Sequence, residues 1–252
     1  HTRSSLTINN TIIRSNVAGE DGGGIESDFR GPLLISNSEI SGNSAGTRGG
    51  AIHHDNSYAE YVILNTVISD NVQSGDDGVV FIRGNYGYLY EDNGPKIINS
   101  IVINNEGGLA LSGNDEGTII GNSVFSNNGS FDINIESNMV PVVKYSYVPT
   151  IIGTAITSNN ISSGELGFID IANKDFHLTE SSVLIDAGTL DISCFTFPET
   201  DKDGNQRIVG TAIDIGPYEY LDTDDDDVSD ESDNCSSVAN PDTTTFNVTN
   251  AD

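Results

Sequence analysis

The chain has 252 residues, of which 38 are acidic and only 10 are basic, so its formal charge is −28. A surface this acidic repels nucleic acid and anionic membranes, and it favours solubility and the binding of cations. No apolar run approaches the roughly 20 residues that cross a bilayer, and no signal peptide is visible. The sequence begins at His1 inside a repeat, so we expect a processed form or a fragment that lacks earlier coils.

A nine-residue motif recurs through the first half of the chain. It reads Ile-x-Asn-Ser/Thr-x-apolar-x-x-Asn, at residues 8–16, 35–43, 63–71, 97–105 and 120–128. Its third position is always asparagine, at steps of 27, 28, 34 and 23 residues: Asn10, Asn37, Asn65, Asn99 and Asn122. A second mark, a glycine pair before an apolar residue, follows the first two copies at 22–25 and 49–52. Such a period is typical of one coil of a solenoid with loops of varying length.

The segments around the motif have the pattern of strands. Short runs such as PLLIS, YVILN and PKIIN are bounded by Gly, Asn, Asp and Ser, without helical spacing of apolar residues. A strand that recurs every ~25 residues pairs in parallel with its counterpart, because one unit cannot bury its apolar face alone. We therefore predict an all-β fold, a right-handed parallel β-helix.

The recurring asparagines predict a sharp turn in each coil. The third-position asparagines are expected to adopt the left-handed backbone conformation and to bond to one another in a ladder. The glycine pairs predict a close approach at the start of one sheet. The alternative, an antiparallel sandwich, requires two-residue Asn-Gly turns in phase, and Asn93-Gly94 and Asn128-Gly129 do not recur in phase.

Two stretches resemble known families of surface proteins. The GGAI tetrapeptide at 49–52, with apolar-x-x-Asn at 68–71 and 125–128, resembles the repeats of bacterial polymorphic outer-membrane proteins and related autotransporter passengers. Residues 174–191 and 200–220 are similar to the closing segment of secreted β-helix proteins of the choice-of-anchor Q type, although Ser182-Val183 stands where Ser-Pro is usual. The resemblances imply coils over 1–150, terminal coils and a cap over 151–220, and a place at the cell surface.

Asp186 and Asp214 each lie in an apolar I-D-x-G context within this cap. They are candidates for a pair of catalytic carboxylates. The favoured interpretation is that they accept hydrogen bonds from backbone amides at strand ends, because a buried carboxylate needs such partners.

The tail, residues 221–252, begins with a run of carboxylates. If Asp222 is position 1 of a calcium loop, oxygen donors fill positions 1, 3, 5, 7, 9 and 12: Asp222, Asp224, Asp226, the Val228 carbonyl, Asp230 and Asp233. This is the spacing by which a short loop surrounds Ca²⁺. A solvated acidic tail is the competing interpretation.

The same tail resembles a thrombospondin type 3 repeat over residues 222–242, through D-N-C at 233–235 and A-N-P-D at 239–242. The resemblance implies a calcium-binding extracellular linker. Asp227 replaces the usual glycine and Ser236 the usual proline, so we expect weak affinity. The two cysteines, Cys194 and Cys235, are either unpaired thiols or one disulfide that ties the tail to the body.

The predicted function is an extracellular structural or adhesive module with a calcium-binding linker. Its expected partners are Ca²⁺, glycans or surface proteins, and other copies of the rod. The alternative is a polysaccharide lyase or glycoside hydrolase, in which loop carboxylates and a histidine converge. Candidates for that role are Asp28, His53, Asp55, Asp76 and Asp77. His53 and His54 are expected on opposite faces of one strand.

Overall fold

The computed structural model describes residues 5–27, 31–57, 60–84, 94–113, 117–136, 139–193, 195–224, 229–230, 233 and 235–238. It confirms the predicted all-β parallel β-helix, because every strand of the four main sheets pairs in parallel with its counterpart one coil away. An antiparallel pair and one turn of 3₁₀ helix follow the coils. None of the helical structure in the described residues is long and apolar enough to cross a membrane.

Two sheets flank the repeated motif. The strands of the seven-stranded sheet are Leu6–Asn9, Leu33–Ser36, Tyr61–Leu64, Lys96–Ile98, Ile119–Gly121, Val142–Lys144 and Ile156–Ser158. The strands of the five-stranded sheet are Ile12–Arg14, Glu39–Ser41, Val67–Ser69, Ile101–Ile103 and Val124–Ser126. The motif therefore joins the end of one sheet to the next within each coil.

The other two parallel sheets complete the coils. The three-stranded sheet contains Val17–Ala18, Ser44–Ala45 and Val72–Gln73. The six-stranded sheet contains Ile25–Ser27, Ile52–Ser57, Val80–Gly84, Leu109–Ser112, Ile133–Ile135 and Ile151–Ile152. The antiparallel pair is Phe168–Asp170 with Asp175–Leu178, joined by the 3₁₀ turn Ile171–Asn173.

The turn at the third motif position has the predicted conformation. All five asparagines are left-handed, with φ between 47° and 51°. The next residue, Ser or Thr, ties the coils together, because the backbone N–H of one coil donates to the hydroxyl oxygen of the next at 3.2–3.5 Å. This hydroxyl ladder contains Thr11, Ser38, Thr66, Ser100, Ser123 and Ser146.

The continuous asparagine ladder lies at a different position from the one predicted. At the third position the amides bond only in the first coils, where Asn65 Nδ2 donates to Asn37 Oδ1 at 3.1 Å, and Asn122 bonds to Thr189 instead. The unbroken ladder uses the ninth position: Asn16, Asn43, Asn71, Asn105 and Asn128. Each of these side-chain amides has both a donor and an acceptor. They therefore bond to one another and also donate to backbone carbonyls near the turn.

The glycine pairs mark close approaches between coils, as predicted. A Cβ at Gly23 would lie 2.3 Å from the carbonyl oxygen of Gly50, and a Cβ at Gly50 would lie 2.2 Å from that of Val72. Both distances are shorter than any real Cβ contact, so only glycine allows the coils to stack at this corner.

The core occupies the interior of the coils. Its buried apolar side chains come from three sheets, for example Ile63, Ile68 and Ile52 in a single coil. Because the outer strand faces alternate with these positions, polar residues would be expected there. On the five-stranded sheet the outer positions are apolar and buried instead, as at Val67, Ile101 and Val124.

The segment after the last coil, residues 159–220, explains this second apolar layer. Phe176, Leu178 and Leu184 of the segment pack against the outer face of the five-stranded sheet. The described contacts of this segment run along the flank of the coils, as far as Glu39. The segment thus acts as a clamp across several coils.

We expect Asn71→Ala to lower the free energy of unfolding by about 3 kcal/mol, because the change leaves several buried donors and acceptors unsatisfied. Asn71 Nδ2 donates to the Ile40 and Ser69 carbonyls and to Asn105 Oδ1, and its Oδ1 accepts from Asn43. Urea unfolding followed by circular dichroism measures the loss.

The matched control is Asn16→Ala, at the same motif position but with an exposed side chain. It should cost less than about 1 kcal/mol. Equal losses in both variants would contradict a stabilising role for the buried ladder.

Candidate functional site

The predicted histidine pair lies on the six-stranded sheet, with its two rings on opposite faces as expected. His54 points into the core, where it stacks on Tyr61 with ring centroids 4.7 Å apart and its Nδ1 lies 2.9 Å from Ser27 Oγ. His53 points outward, but neighbouring side chains bury it to 4% exposure. Only His53 therefore belongs to the outer surface.

His53 occupies the middle of a short stack of outward side chains. Glu26 in the preceding coil and Phe81 in the next are in register with it. Its Nδ1 lies 3.1 Å from Glu26 Oε1, and its ring stacks on Phe81 at 5.3 Å. The histidine thus links three coils through one hydrogen bond and one aromatic contact.

Asp21 lies on the other side of the His53 ring, with Oδ2 3.8 Å from Nε2. Burial opposes ionisation of Asp21, but a hydrogen bond from Thr47, the charge of His53 and the Arg48 backbone N–H together lower its pKa. Asp21 is therefore ionised at neutral pH beside the imidazole.

The other predicted carboxylates pair with arginines of adjacent coils. Arg48 Nε lies 2.7 Å from Asp77 Oδ2, and its guanidinium lies 5.2 Å from the centre of the Phe81 ring. Arg83 Nε donates to Asp55 Oδ1 at 2.8 Å. Asp76 is exposed, and Asp28 lies outside the described residues. Asp55 and Asp77 thus each face an arginine from a neighbouring coil.

The two aspartates of the C-terminal segment bond to backbone amides, which confirms the favoured interpretation. Asp186 Oδ1 accepts from the N–H groups of Thr211 and Ala212 at 2.7 and 2.8 Å. Asp214 accepts from the N–H groups of Asp186 and Tyr220. Burial raises the pKa of Asp214 to about 6. The amides belong to turns and irregular segments after the last strand, and not to strand ends as we expected.

Sequence reasoning missed the buried arginine that connects this network to the coils. Arg207 Nη1 lies 3.2 Å from Glu219 Oε1, and Nη2 donates to Asn65 Oδ1 at 2.8 Å. Burial, strengthened by the nearby charge of Asp214, raises the pKa of Glu219. The arginine of D-x-D-G-x-x-R was visible in the sequence, but nothing local indicated its partner 142 residues away.

His177 was also missed as a charged residue. It lies between two carboxylates, with Nδ1 2.6 Å from Asp175 Oδ1 and Nε2 2.5 Å from Asp203 Oδ2. Burial alone would lower its pKa, but the hydrogen bonds and charges of Asp203 and Asp175 raise it to about 9. His177 is therefore a cation at neutral pH and joins the antiparallel pair to the 201–205 turn.

The predicted calcium loop is only partly described. Thr223 N–H donates to Asp230 Oδ1 at 2.8 Å, and Asp230 N–H donates to the Leu221 carbonyl at 2.8 Å. Asp230 thus bonds to the two residues that flank Asp222. Asp233 bonds locally, through its N–H to Ser229 and through Oδ1 to the Cys235 N–H.

Asp226 and Val228 of the proposed ligand set lie outside the described residues. Within the described ranges, no group of three or more His, Cys, Asp or Glu side chains is arranged to hold a metal ion. Cys235 is exposed, and Cys194 lies outside the described residues. The calcium site and the cysteine pairing both stay predictions.

Comparison of the chain with protein-family models, with curated proteins and with solved structures finds no match.

We predict that His177→Gln destabilises the protein in a pH-dependent way. The raised pKa means that the His177 cation stabilises the fold fully below pH 6.5, and that this contribution is lost as the pH rises through about 9. The difference between wild type and variant should reach at most about 3 kcal/mol below pH 6.5, since one pKa unit corresponds to about 1.4 kcal/mol.

Urea unfolding at pH values from 5.5 to 9.5 gives this difference directly. Glu219 contributes equally to both proteins, so its own titration cancels in the subtraction. A difference that stays constant across the range would show that His177 acts through packing on Tyr218 and not through its charge.

Proposed function

We propose that this chain is an extracellular β-helical module with a structural or adhesive role, joined to a calcium-binding tail. The observation that carries the proposal is that charged and polar side chains link successive coils. Arg48 pairs with Asp77, Arg83 with Asp55 and His53 with Glu26, each across one coil step. Such pairs stiffen a rod and fix its loops, which suits a surface that presents one shape to its partners.

The resemblances in the sequence support a place outside the cell. The GGAI tetrapeptide with its apolar-x-x-Asn elements resembles the repeats of polymorphic outer-membrane proteins. Residues 174–191 and 200–220 resemble the closing segment of choice-of-anchor Q proteins, and residues 222–242 resemble a thrombospondin type 3 repeat. All three types of segment belong to surface or secreted proteins. The formal charge of −28 also suits an environment rich in salt or calcium.

The tail is proposed to bind Ca²⁺ through Asp222, Asp224, Asp226, Asp230, Asp233 and the Val228 carbonyl. The closure between Thr223 and Asp230 supports this proposal, because it brings the first and later ligand positions together. Hard cations prefer such carboxylate and carbonyl oxygens. Bound Ca²⁺ would neutralise the carboxylates and stiffen the tail where it joins the rod.

We expect the tail to bind one Ca²⁺ with a dissociation constant on the order of 10⁻⁴–10⁻³ M, the range of extracellular sites. Isothermal titration calorimetry measures the affinity, and limited proteolysis with and without chelator measures the stiffening. Asp224→Asn should weaken binding about tenfold, because it removes one charged ligand. Asp191→Asn, an exposed aspartate outside the tail, is the control for general attraction to an acidic surface.

Calcium binding that is equally strong in Asp224→Asn and Asp191→Asn would contradict a specific loop. Proteolysis of residues 221–252 at the same rate in calcium and in chelator would contradict the stiffening.

The enzymatic alternative is tested separately, with a polysaccharide-depolymerisation screen. We expect no product from neutral or acidic polysaccharides, because Asp55 and Asp77 face arginines. Turnover that is present in wild type and lost in His53→Ala or Asp76→Ala would replace the proposed role with that of a carbohydrate-active enzyme.

A further inference from the structure

A cavity of about 650 Å³ opens in the segment that clamps the coils. This volume lies within the range of small-molecule pockets. Its walls are mostly apolar, from residues such as Leu190, Phe197 and Ile208, with a smaller polar part from residues such as Glu199 and Arg207. None of these residues was assigned a role by the sequence.

Arg207, one of the residues that line the cavity, has an unused hydrogen-bond donor. The side chain is buried to 3% exposure, and its terminal nitrogens bond to Glu219, Asn65 and the Thr200 carbonyl. Its Nε has no hydrogen-bond partner in the described part of the chain. A buried donor without an acceptor costs about 1–3 kcal/mol, so an acceptor atom of a ligand would recover this free energy.

The surrounding charges disfavour an anion. Arg207 already pairs with Glu219, and the carboxylates of Asp201 and Asp214 also lie within its electrostatic reach. Glu199 adds a further negative charge on the wall. A ligand that approaches this cavity therefore meets net negative charge, one free N–H donor and one carboxylate acceptor, which suits a neutral molecule with hydroxyl groups.

The apolar wall favours a ligand with a flat C–H face. Phe197 is held edge-to-face by Phe195, with ring centroids 5.1 Å apart. Leu190 and Ile208 are 48% and 39% exposed, so part of their apolar surface is open to a ligand. A pyranose ring combines such a C–H face with hydroxyls that both donate and accept hydrogen bonds.

We propose that this cavity binds a neutral saccharide. The sugar ring lies against Phe197, one hydroxyl oxygen accepts from Arg207 Nε–H, and another hydroxyl donates to Glu199. A saccharide site would specify the ligand of the proposed adhesive module. The inference rests on the proposed function only for its extracellular location. The calcium-binding tail takes no part in it.

Saturation-transfer NMR with glucose, galactose, mannose and cellobiose, and with glucuronate as the anionic arm, tests the site. We expect at least one neutral sugar to bind, and glucuronate to bind more weakly than glucose.

Phe197→Ala should weaken binding about tenfold through the lost ring contact. Glu199→Gln should weaken it about fivefold through the lost charged acceptor. Ile171→Ala and Glu180→Gln, exposed residues that do not line the cavity, should bind like wild type.

The proposal is overturned if no neutral sugar binds, if glucuronate binds more tightly than glucose, or if Phe197→Ala binds as wild type does. Calcium binding by the tail is measured on the same samples. Loss of sugar binding with calcium binding intact counts against the cavity alone. Loss of calcium binding with sugar binding intact counts against the tail alone.

Discussion

The turn between the five-stranded and three-stranded sheets buries polar groups that a neighbouring coil satisfies. Asn71 illustrates the constraint, because its side-chain amide bonds to carbonyls in its own and the preceding coil and to the asparagines of the preceding and following coils. An unsatisfied amide at such a depth would cost more than most single interactions contribute. Each coil is therefore stable only when its neighbour repeats the same turn, and this requirement explains the strict motif.

The same stacking of coils determines which side chains meet on the outer faces of the sheets. Because coil stacking fixes the strands in register, side chains one coil apart always meet, and charged ones pair or repel. His53 between Glu26 and Phe81, and Arg48 beside Asp77, are outcomes of this geometry. Loop carboxylates that look like a catalytic set in the sequence are thereby drawn into contacts between coils.

Local chemistry made much of the fold predictable. An asparagine before Ser or Thr predicts a left-handed turn, and the glycine pair predicts a close approach between coils. Both features depend on residues that are adjacent in the sequence. The asparagine ladder was placed at the wrong motif position because the two asparagines of each motif look alike in sequence. Both sets are buried in the middle coils, and they differ in backbone conformation, because only the third-position asparagines are left-handed.

The packing of the clamp on the flank could not be predicted from local sequence patterns, although one pattern indicated that the outer face is covered. Residues 101–103, Ile-Val-Ile, are apolar on both faces of a strand, which indicates a cover on the outer face. The identity of the cover depends on contacts over very long sequence distances, such as that between Arg207 and Asn65. No spacing rule encodes such a contact.

The clamp also determines where recognition can be placed on a rod of this kind. The coils themselves cannot rearrange without breaking the ladders, so a binding site must come from loops or from a segment that packs on the coils. The clamp is joined to the coils by Arg207, Lys174 and Thr189, whose partners Glu39, Asn65, Asp70 and Asn122 belong to three coils. A cavity within it is therefore held rigid by the rod, and a ligand that enters loses little free energy to ordering of the protein.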